Sequence, residues 1–314
     1  MNEPAVLVEA TDLRRDYGPL RAVDGVDVRL ERGQVLGLLG PNGAGKTSTL
    51  QMICGVLAPS NGAIRINGVD LLGEPRRAKR ALGYLPEAPP VYRDMTVREY
   101  LDFCGALHAV PRGRRAALRD RAIERCGLAD TRRRLIGNLS KGYQQRVGIA
   151  QAILHEPGVV VLDEPTVGLD PIQIREIRAL VAELGREHGV ILSTHILAEV
   201  QAVCSHVQII HRGRTVWSDA LAALDRADGE YAVAVRLRAD LDRQSLTGLP
   251  GVVSARHRAD GRWWLELEPG CGIEPLAETL VERGWGLLEL TPQRRSLEQV
   301  FVAATATDTV ETTE

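Results

Sequence analysis

The sequence lacks several features that would place a chain in a specialised class of proteins. None of its apolar runs approaches the roughly 18 residues that a membrane-spanning helix needs. The first ten residues contain no basic segment leading into an apolar run, so we expect no secretion signal. Positive charge is not in excess, because 39 lysines and arginines are balanced by 41 aspartates and glutamates. This balance argues against a non-specific nucleic-acid binder, and we expect no nucleic-acid partner.

Cysteine and lysine are both scarce. The five cysteines include no CxxC pair and are scattered along the chain: Cys54, Cys104, Cys126, Cys204 and Cys271. We predict buried, reduced thiols in a cytosolic protein. Only three lysines, Lys46, Lys79 and Lys141, occur beside 36 arginines. Because arginine is used almost wherever a positive charge suffices, a retained lysine indicates a place that needs a compact ammonium group.

A glycine-rich segment gives the first chemical signal. Residues 33–57 read GQVLGLLGPNGAGKTSTLQMICGVL, an apolar run followed by a glycine-rich turn and a helical pattern. The residues that match G-x-x-x-x-G-K-[ST] are Gly40, Gly45, Lys46 and Thr47. In this pattern backbone N–H groups surround phosphate oxygens, the lysine reaches the β- and γ-phosphates, and the hydroxyl binds Mg²⁺. The segment therefore predicts a nucleoside triphosphate site.

A second apolar run ends in two acids. Val159–Asp163 reads VVVLD and is followed by Glu164 and Pro165. The last side chains of a buried parallel strand reach the carboxyl edge of the sheet, where open α/β folds bind ligands. We predict that Asp163 holds the Mg²⁺ shell and that Glu164 takes a proton from an attacking water. Without the phosphate-binding segment, the two acids would indicate only the start of a surface turn.

The region between these motifs carries a family resemblance. Residues 138–154 read NLSKGYQQRVGIAQAIL, with Ser140 as a predicted helix N-cap. The longer run LSKGYQQRVGIAQAILHEPGVVVLDEPTVGLDP resembles the signature, Walker B and D-loop motifs of ABC ATPases in unbroken order. GPNGAGKT lies upstream and STH lies downstream. Over residues 6–220 the chain thus resembles the ATP-binding subunit of an ABC transporter.

The resemblance implies roles for individual residues. Tyr17 would stack on adenine, although an isolated tyrosine is more often a strand-edge aromatic. His195 would be the switch histidine at the γ-phosphate, although an isolated histidine there is more often a strand-end residue. The phosphate-binding residues would be Asn42, Gly43, Ala44, Gly45, Lys46, Thr47 and Ser48. The signature residues Ser140 and Gly142 would contact ATP held by the other subunit, and Asp170 would be the D-loop acid.

The sequence departs from the family pattern at two places. Glu87, in GYLPEAPP, stands where members usually carry glutamine. A glutamate can still bind Mg²⁺ beside Thr47 and Asp163, but it adds a charge and removes an amide donor. The signature reads LSKGY, so Lys141 and Tyr143 replace the usual residues. GYLPE together with LSKGYQQR resembles the branch that serves type-two exporters, including the gliding-motility-like subfamily.

The implied fold is α/β, a P-loop NTPase core of ABC ATPase type with an antiparallel β subdomain and a helical subdomain. We expect an ABC ATPase domain over residues 1–222, with its helical subdomain at about 90–155. Asn67 and Gly68 predict a hairpin turn. Asp170 is predicted to cap a helix that has Pro171 at its first position and Gly189 after its end. The predicted apolar stripe of that helix is Ile174, Ile177, Val181 and Leu184.

Residues 223–304 have a different character. Their predicted order β-α-β-β-α-β indicates a small α+β domain of ferredoxin-like type. Trp263, Trp264 and Trp285 are expected to form core and dimer contacts, with a ligand pocket as the alternative. Residues 305–314 are rich in Thr, Asp and Glu and are predicted to form a frayed tail.

The resemblance also implies ligands and partners. The ligands would be ATP and Mg²⁺. The partners would be a second copy of the chain in a head-to-tail dimer and an integral membrane permease, received on the surface between Glu87 and Leu101. The chain would then lie on the cytoplasmic face of the inner or cell membrane. Two alternatives stay open: an ABC protein that acts on ribosomes or DNA without a membrane partner, and a nucleotide-sensing regulatory module.

Overall fold

The computed structural model describes residues 5–225, 232–258, 260–268, 271–293 and 296–306. These residues form two compact units. The first contains the described residues up to Leu221 and those from Ala304 onward, and the second is Ala222–Ala303. Within the described ranges, no helix combines the length and the apolar character needed to cross a membrane.

The first unit contains ten strands and seven α-helices among its described residues. The strands are β1 (Val6–Tyr17), β2 (Leu20–Glu31), β3 (Val35–Leu39), β4 (Asn61–Ile66), β5 (Val69–Asp70), β6 (Leu82–Leu85), β7 (Val159–Asp163), β8 (Gly189–Thr194), β9 (His206–His211) and β10 (Arg214–Ala220). The helices are α1 (Lys46–Ile53), α2 (Pro75–Lys79), α3 (Val97–Leu107), α4 (Arg112–Arg125), α5 (Lys141–Ile153), α6 (Pro171–Glu187) and α7 (Leu197–Val203). Short 3₁₀ turns lie at Ala129–Thr131 and Ile136–Asn138.

A six-stranded sheet in the order β10-β9-β3-β8-β7-β6 forms the centre of this unit. All of its strands are parallel except β10, which pairs antiparallel with β9. Strands β3 and β7 are buried along their whole length, as their apolar sequences predict. Because they are parallel, their carboxyl ends lie at the same edge of the sheet. The loops that follow β3, β7 and β8 therefore meet at that edge.

A second, antiparallel sheet has the order β2-β1-β4-β5. The predicted hairpin is confirmed, since Asn67 and Gly68 connect β4 to β5 and Ile66 pairs with Val69. Both turn residues have positive φ, 49° and 75°, as a tight two-residue hairpin turn requires. The apolar side chains of this sheet share one core with α1 and with one face of the central sheet.

Residues 90–155 are mostly helical, as predicted. Helix α3 begins with a capping box, in which Thr96 accepts from the N–H of Glu99 and the Glu99 carboxylate accepts from the N–H of Thr96. On α4, the buried Arg119 donates to both oxygens of Asp102 at 2.8 Å and ties α4 to α3. The arginine clusters at 112–115 and 132–134 are exposed, except for the half-buried Arg115.

Helix α6 begins as the sequence predicts. The Asp170 side chain accepts from the N–H groups of Ile172 and Gln173, and Pro171 occupies the first helical position. The predicted stripe is buried at Ile177, Val181 and Leu184, and half-buried at Ile174. Gly189 lies two residues beyond the helix as the first residue of β8, where an added Cβ would come within 2.7 Å of Leu7. The absence of a side chain at Gly189 therefore allows β8 to pack closely against Leu7.

The second unit is a small antiparallel α+β fold. Its strands are β11 (Ala232–Leu237), β12 (Val252–His257), β13 (Trp263–Leu267) and β14 (Leu287–Gln293). Its helices are α9 (Arg243–Thr247) and α10 (Ile273–Glu282), together with most of α8 (Leu221–Asp225) and of α11 (Leu297–Ala306), which each cross a boundary between the units. The sheet order β12-β13-β11-β14 and the chain order β-α-β-β-α-β give the predicted ferredoxin-like fold.

Three details differ from, or refine, the sequence-based expectations. Thr305 belongs to α11, so the predicted tail does not begin there, and its residues from 307 onward lie outside the described part. Of the five cysteines, Cys204 and Cys271 are half-buried and the other three are buried. Trp263 and Trp285 pack against the core of the second unit, as predicted. The Trp264 ring instead stacks with a side chain outside this core, since its centroid lies 4.1 Å from Cζ of the Arg258 guanidinium group.

Two stacked histidines link stability to pH. The rings of His108 and His155 lie 3.8 Å apart and are nearly parallel, and His155 Nε2 bonds the carbonyl of Leu82. Burial, followed by the proximity of His108, lowers the pKa of His155 to about 4 from 6.5. The folded chain therefore binds fewer protons than the unfolded chain as the pH falls from 6.5 toward 4. In that window His155 lowers the free energy of unfolding.

We expect His155 to account for a loss of about 2 kcal/mol in the free energy of unfolding between pH 7.5 and 5.0. The measurement is urea unfolding of the full chain, followed by circular dichroism at both pH values. His155→Gln is the control, because its amide can still donate to Leu82 but does not titrate. The same pH dependence in parent and variant would contradict this assignment.

Candidate active site

The phosphate-binding segment is a tight turn between β3 and α1. Gly43 and Gly45 have φ values of 78° and 103°, and Gly45 is the N-cap of α1. A Cβ on Gly45 would lie 2.5 Å from the carbonyl oxygen of Ala22, so glycine is required there for space as well as for conformation. The turn thereby directs the free N–H groups of the first turn of α1 toward one point, as an anion site needs.

Lys46, the first residue of α1, is buried, with 6% of its side chain exposed. Its ammonium group donates to the carbonyl oxygens of Gly40 at 2.8 Å and Pro41 at 3.1 Å. It also lies 3.8 Å from Glu164 Oε1. Burial lowers the pKa of Lys46, while the carboxylates of Glu164 and Asp163 counteract this effect. The ammonium group is thus held at the base of the turn, beside two acids.

The two acids after β7 have different partners. Asp163 Oδ1 accepts from the Thr47 hydroxyl at 3.4 Å, whereas its buried Oδ2 has no hydrogen-bond partner in the described structure. Burial raises the pKa of Asp163. Glu164 has a left-handed backbone with φ of 47°, and both of its oxygens lie 3.0 Å from His195 Nδ1. Asp163, Glu164 and His195 are therefore brought together from the ends of β7 and β8.

The donor set around Asp163 fits Mg²⁺. A hydroxyl and a carboxylate with an unpartnered buried oxygen are oxygen ligands of the type that Mg²⁺ takes. Among the described residues, no group of three or more His, Cys, Asp or Glu side chains could hold a metal by itself. Mg²⁺ is usually held by one or two protein groups, with phosphates and water completing its coordination.

A cavity of about 540 Å³ collects most of the predicted residues. Those that line it are Tyr17, Asn42, Gly43, Ala44, Gly45, Lys46, Thr47, Ser48, Glu87, Glu164 and His195. At its outer end the Tyr17 ring is 42% exposed and has the Arg15 guanidinium 4.8 Å from its centroid. The Tyr17 hydroxyl lies 3.5 Å from Ser48 Oγ. An aromatic surface at one end and a phosphate turn at the other suit a nucleotide.

A second cavity of about 790 Å³ adjoins the first through shared residues. Thr47, Glu87 and Val167 line both cavities, and Asp163 and Lys141 line the second. Glu87, the residue that departs from the family pattern, is exposed and lines both cavities.

Three predicted residues line neither cavity: Ser140, Gly142 and Asp170. Ser140 is exposed and accepts from the N–H of Tyr143 at the start of α5, as predicted for an N-cap. Gly142 is buried, and a Cβ on it would lie 2.5 Å from the side chain of Gln173 on α6. The start of α5 thus packs against the start of α6, which Asp170 caps.

Glu199 was not among the residues that the sequence predicted. This residue of α7 is 1% exposed and accepts from two hydroxyl groups, one in the loop after β7 and one on the last residue of β8. A signal was present in the sequence, because Glu199 is an acid within the apolar helical run ILAEV, directly after the STH motif. An acid on an apolar helix face is buried only when it has partners.

Comparisons with known proteins agree with this geometry. The family model described as "ABC transporter" matches residues 23–167. The bacitracin transport ATP-binding protein BcrA of Bacillus licheniformis is 37% identical over 67% of this chain and 68% of its own length. The daunorubicin resistance ATP-binding protein DrrA3 of Streptomyces coeruleorubidus is 32% identical, and the match covers 98% of both chains.

Solved structures give the same family. The structure of an ATP-binding subunit of an ABC transporter matches with a TM-score of 0.64 and 32% identity, covering 70% of this chain and 92% of that one. CbiO1 of Clostridium perfringens, described as part of the ABC transporter complex cbiONQ, matches with a TM-score of 0.64 and 27% identity, covering 72% and 92%. With an ATP site of this geometry and relatives aligned along almost the whole chain, the protein belongs to the ATP-binding subunits of ABC transporters, a family that hydrolyses ATP to drive transport.

Proposed function

We propose that this chain is the ATP-hydrolysing subunit of an ABC exporter. It works as a head-to-tail pair with a second copy, requires Mg²⁺, and drives a separate membrane permease from the cytoplasmic face. The cluster of Lys46, Asp163, Glu164 and His195 at one edge of the sheet carries the proposal, because it supplies a phosphate-binding cation, a metal ligand, a base and a histidine within one site.

Each side chain has a task that follows from its contacts. Lys46 exchanges its carbonyl partners for phosphate oxygens, which its single flexible ammonium group can do without rearranging the turn. Glu164 accepts the proton of the attacking water, and His195 fixes the orientation of its carboxylate. Tyr17 offers its exposed ring to the adenine. Mg²⁺, held by Thr47 and Asp163, would neutralise charge on the β- and γ-phosphates.

The position of the signature residues supports a pair of chains. Ser140 lies at an exposed helix start and outside the cavity that holds the phosphate-binding turn of its own chain. The donors at this helix start are therefore available to ATP on a second copy. With two such copies facing head to tail, each γ-phosphate gains donors from both chains. ATP then joins the pair and hydrolysis releases it, which converts chemical energy into motion.

Export is the direction that the relatives support. Two of them are named for bacitracin transport and daunorubicin resistance. We infer that the motion acts on a separate membrane permease, since the relatives are subunits of transporters. We assign the permease contact to the surface between Glu87 and Leu101. The exposed Tyr92 lies on this surface, with its ring edge-on to those of Tyr100 and Phe103.

Lys46→Ala should abolish ATP hydrolysis and weaken ATP binding, because the buried ammonium group at the base of the turn is lost. The measurements are phosphate release and equilibrium binding of a fluorescent ATP analogue. Lys79→Ala is the matched control, since Lys79 also donates to a glycine carbonyl, that of Gly55, but lines neither cavity. Normal turnover in Lys46→Ala would contradict the assignment of the phosphate site.

Glu164→Gln should retain ATP binding while hydrolysis falls by roughly 10²- to 10⁴-fold, because the amide cannot accept the proton. Phosphate release and ATP affinity are measured on the same preparation. Near-normal turnover would contradict the general-base role. ATP binding without turnover in the parent chain, alone and with its membrane partner, would instead favour the nucleotide-sensing module.

ATP-loaded Glu164→Gln should elute at about twice the monomer mass in size-exclusion chromatography with light scattering, since blocked hydrolysis keeps the pair closed. Adding Ser140→Arg should return the protein to a monomer while ATP binding persists, because a bulky cation then stands at the helix start. Ser218→Arg, on an exposed strand, is the control and should stay dimeric. Monomeric Glu164→Gln at saturating ATP and Mg²⁺ would count against the pair.

A further inference from the structure

Glu199 is a buried carboxylate with two hydroxyl partners, one from the loop after β7 and one from the end of β8. One oxygen, Oε1, accepts from the hydroxyl of Thr166 in the loop after β7. The other, Oε2, accepts from the hydroxyl of Thr194 at 2.7 Å, at the end of β8. Each oxygen therefore holds one of the two loops that carry the catalytic side chains.

The Thr194 contact fixes the backbone on both sides of His195. Thr194 precedes the histidine, and its hydroxyl oxygen also accepts from the N–H of Ile196 at 3.1 Å. The short segment 194–196 is thus closed into a turn by one hydroxyl group, which is itself held by Glu199. The His195 side chain, 42% exposed, has little packing of its own to orient it. This hydrogen-bonded turn and the pairing of Thr194 with Leu39 in the central sheet position its backbone.

The Thr166 contact acts on the turn that begins at Glu164. This turn is closed by hydrogen bonds from Val167 N–H to the carbonyl of Glu164 at 3.3 Å and from Leu169 N–H to the carbonyl of Thr166 at 3.2 Å. Glu164 itself is in the left-handed region, which is unfavourable for a residue other than glycine and persists only when its surroundings enforce it. The bond from Thr166 to Glu199 is one of those surroundings.

The charge of Glu199 also has a partner. Arg178 Nη2 on α6 lies 3.9 Å from Glu199 Oε1. A buried carboxylate is costly unless it is hydrogen-bonded and paired, and here two hydroxyl groups and one guanidinium group meet that need. A pair of apolar side chains could fill the same space, but it could not hold two loops by directed bonds.

We propose that Glu199 is a positioning residue for ATP hydrolysis. By holding Thr166 and Thr194, its carboxylate fixes the loop of Glu164 relative to His195. It thereby maintains the 3.0 Å distance between Glu164 Oε1 and His195 Nδ1. This inference rests on the proposed function, because it assigns Glu199 to the step in which Glu164 acts. It predicts an effect on turnover with little effect on nucleotide affinity, since Glu199 lines neither cavity.

The test uses hydroxyl deletions in the full-length protein, because removing the carboxylate alone could unfold the chain. Thr166→Val and Thr194→Val keep the side-chain shape and remove one bond to Glu199 each. We expect kcat to fall by about 10- to 100-fold in each variant, since small displacements of reacting groups have effects of that size. The KM for ATP and the affinity for the ATP analogue should change by less than about threefold.

Two control variants separate positioning from stability. Thr194→Ser retains the hydroxyl and loses the methyl group, so kcat should recover toward the parent value even where the melting temperature falls. Thr131→Val removes another buried hydroxyl, one that donates to Leu128 in the first unit and touches neither loop, and its kcat should equal that of the parent. The kcat of Glu199→Gln should lie between those of the parent and the valine variants, because its one amide oxygen can still accept a hydrogen bond.

Parent-like kcat in both valine variants would overturn the inference while leaving the proposed function intact. Loss of kcat in Thr194→Ser as large as in Thr194→Val would also overturn it, because turnover would then follow packing and not the hydroxyl group. A parent chain that binds ATP but never hydrolyses it, with or without its membrane partner, would contradict the proposed function itself and the inference with it.

Discussion

The burial of charge at the carboxyl edge of the central sheet constrains the rest of the structure. Lys46, Asp163 and Glu164 are each less than one tenth exposed, and buried charges are costly unless partners compensate them. The surrounding loops supply those partners as carbonyls, a hydroxyl and a histidine. The sharp turns at Gly45 and Glu164, both left-handed, are needed to bring these partners together. Under the proposed function, Mg²⁺ would complete this compensation at the oxygen of Asp163 that lacks a hydrogen-bond partner among the described residues.

Each of the three lysines of the chain lies beside a glycine. Lys46 donates to the carbonyl of Gly40, and Lys79 donates to that of Gly55. Lys141 lies against Gly168, where an added Cβ would come within 2.4 Å of its ammonium nitrogen. Each ammonium group thus lies beside a glycine, but only that of Lys46 is buried, whereas Lys79 and Lys141 are exposed. Lys46 fits the prediction that a retained lysine marks a place for a compact cation, and for Lys79 and Lys141 this stays a prediction.

The sequence predicts those parts of the site that local pattern controls. The strand–turn–helix around Lys46, the acids after β7 and the caps at Ser140 and Asp170 each depend on a few neighbouring residues, and the structure contains all four. The order of elements in the second unit could also be predicted from the sequence, because each short strand is bounded by polar or glycine residues. The hydrogen bonds of Glu199 could not be predicted, because Thr166 lies 33 residues away and the pairing depends on how the helices pack. Nor does a motif reveal that Gln173 covers Gly142.

Helix α6 contacts both the signature segment at the start of α5 and the buried carboxylate of Glu199. Asp170 caps its first turn, Gln173 covers Gly142 at the start of α5, and Arg178 lies beside Glu199. Residues 173 and 178 are separated by about 7.5 Å along the axis of a continuous helix, which resists bending over so short a distance. The position of the signature residues and the environment of the buried carboxylate therefore depend on the same rigid element. The helix that covers Gly142, beside the surface proposed to face a second copy, therefore also lies beside the carboxylate that we propose as the positioning residue for Glu164.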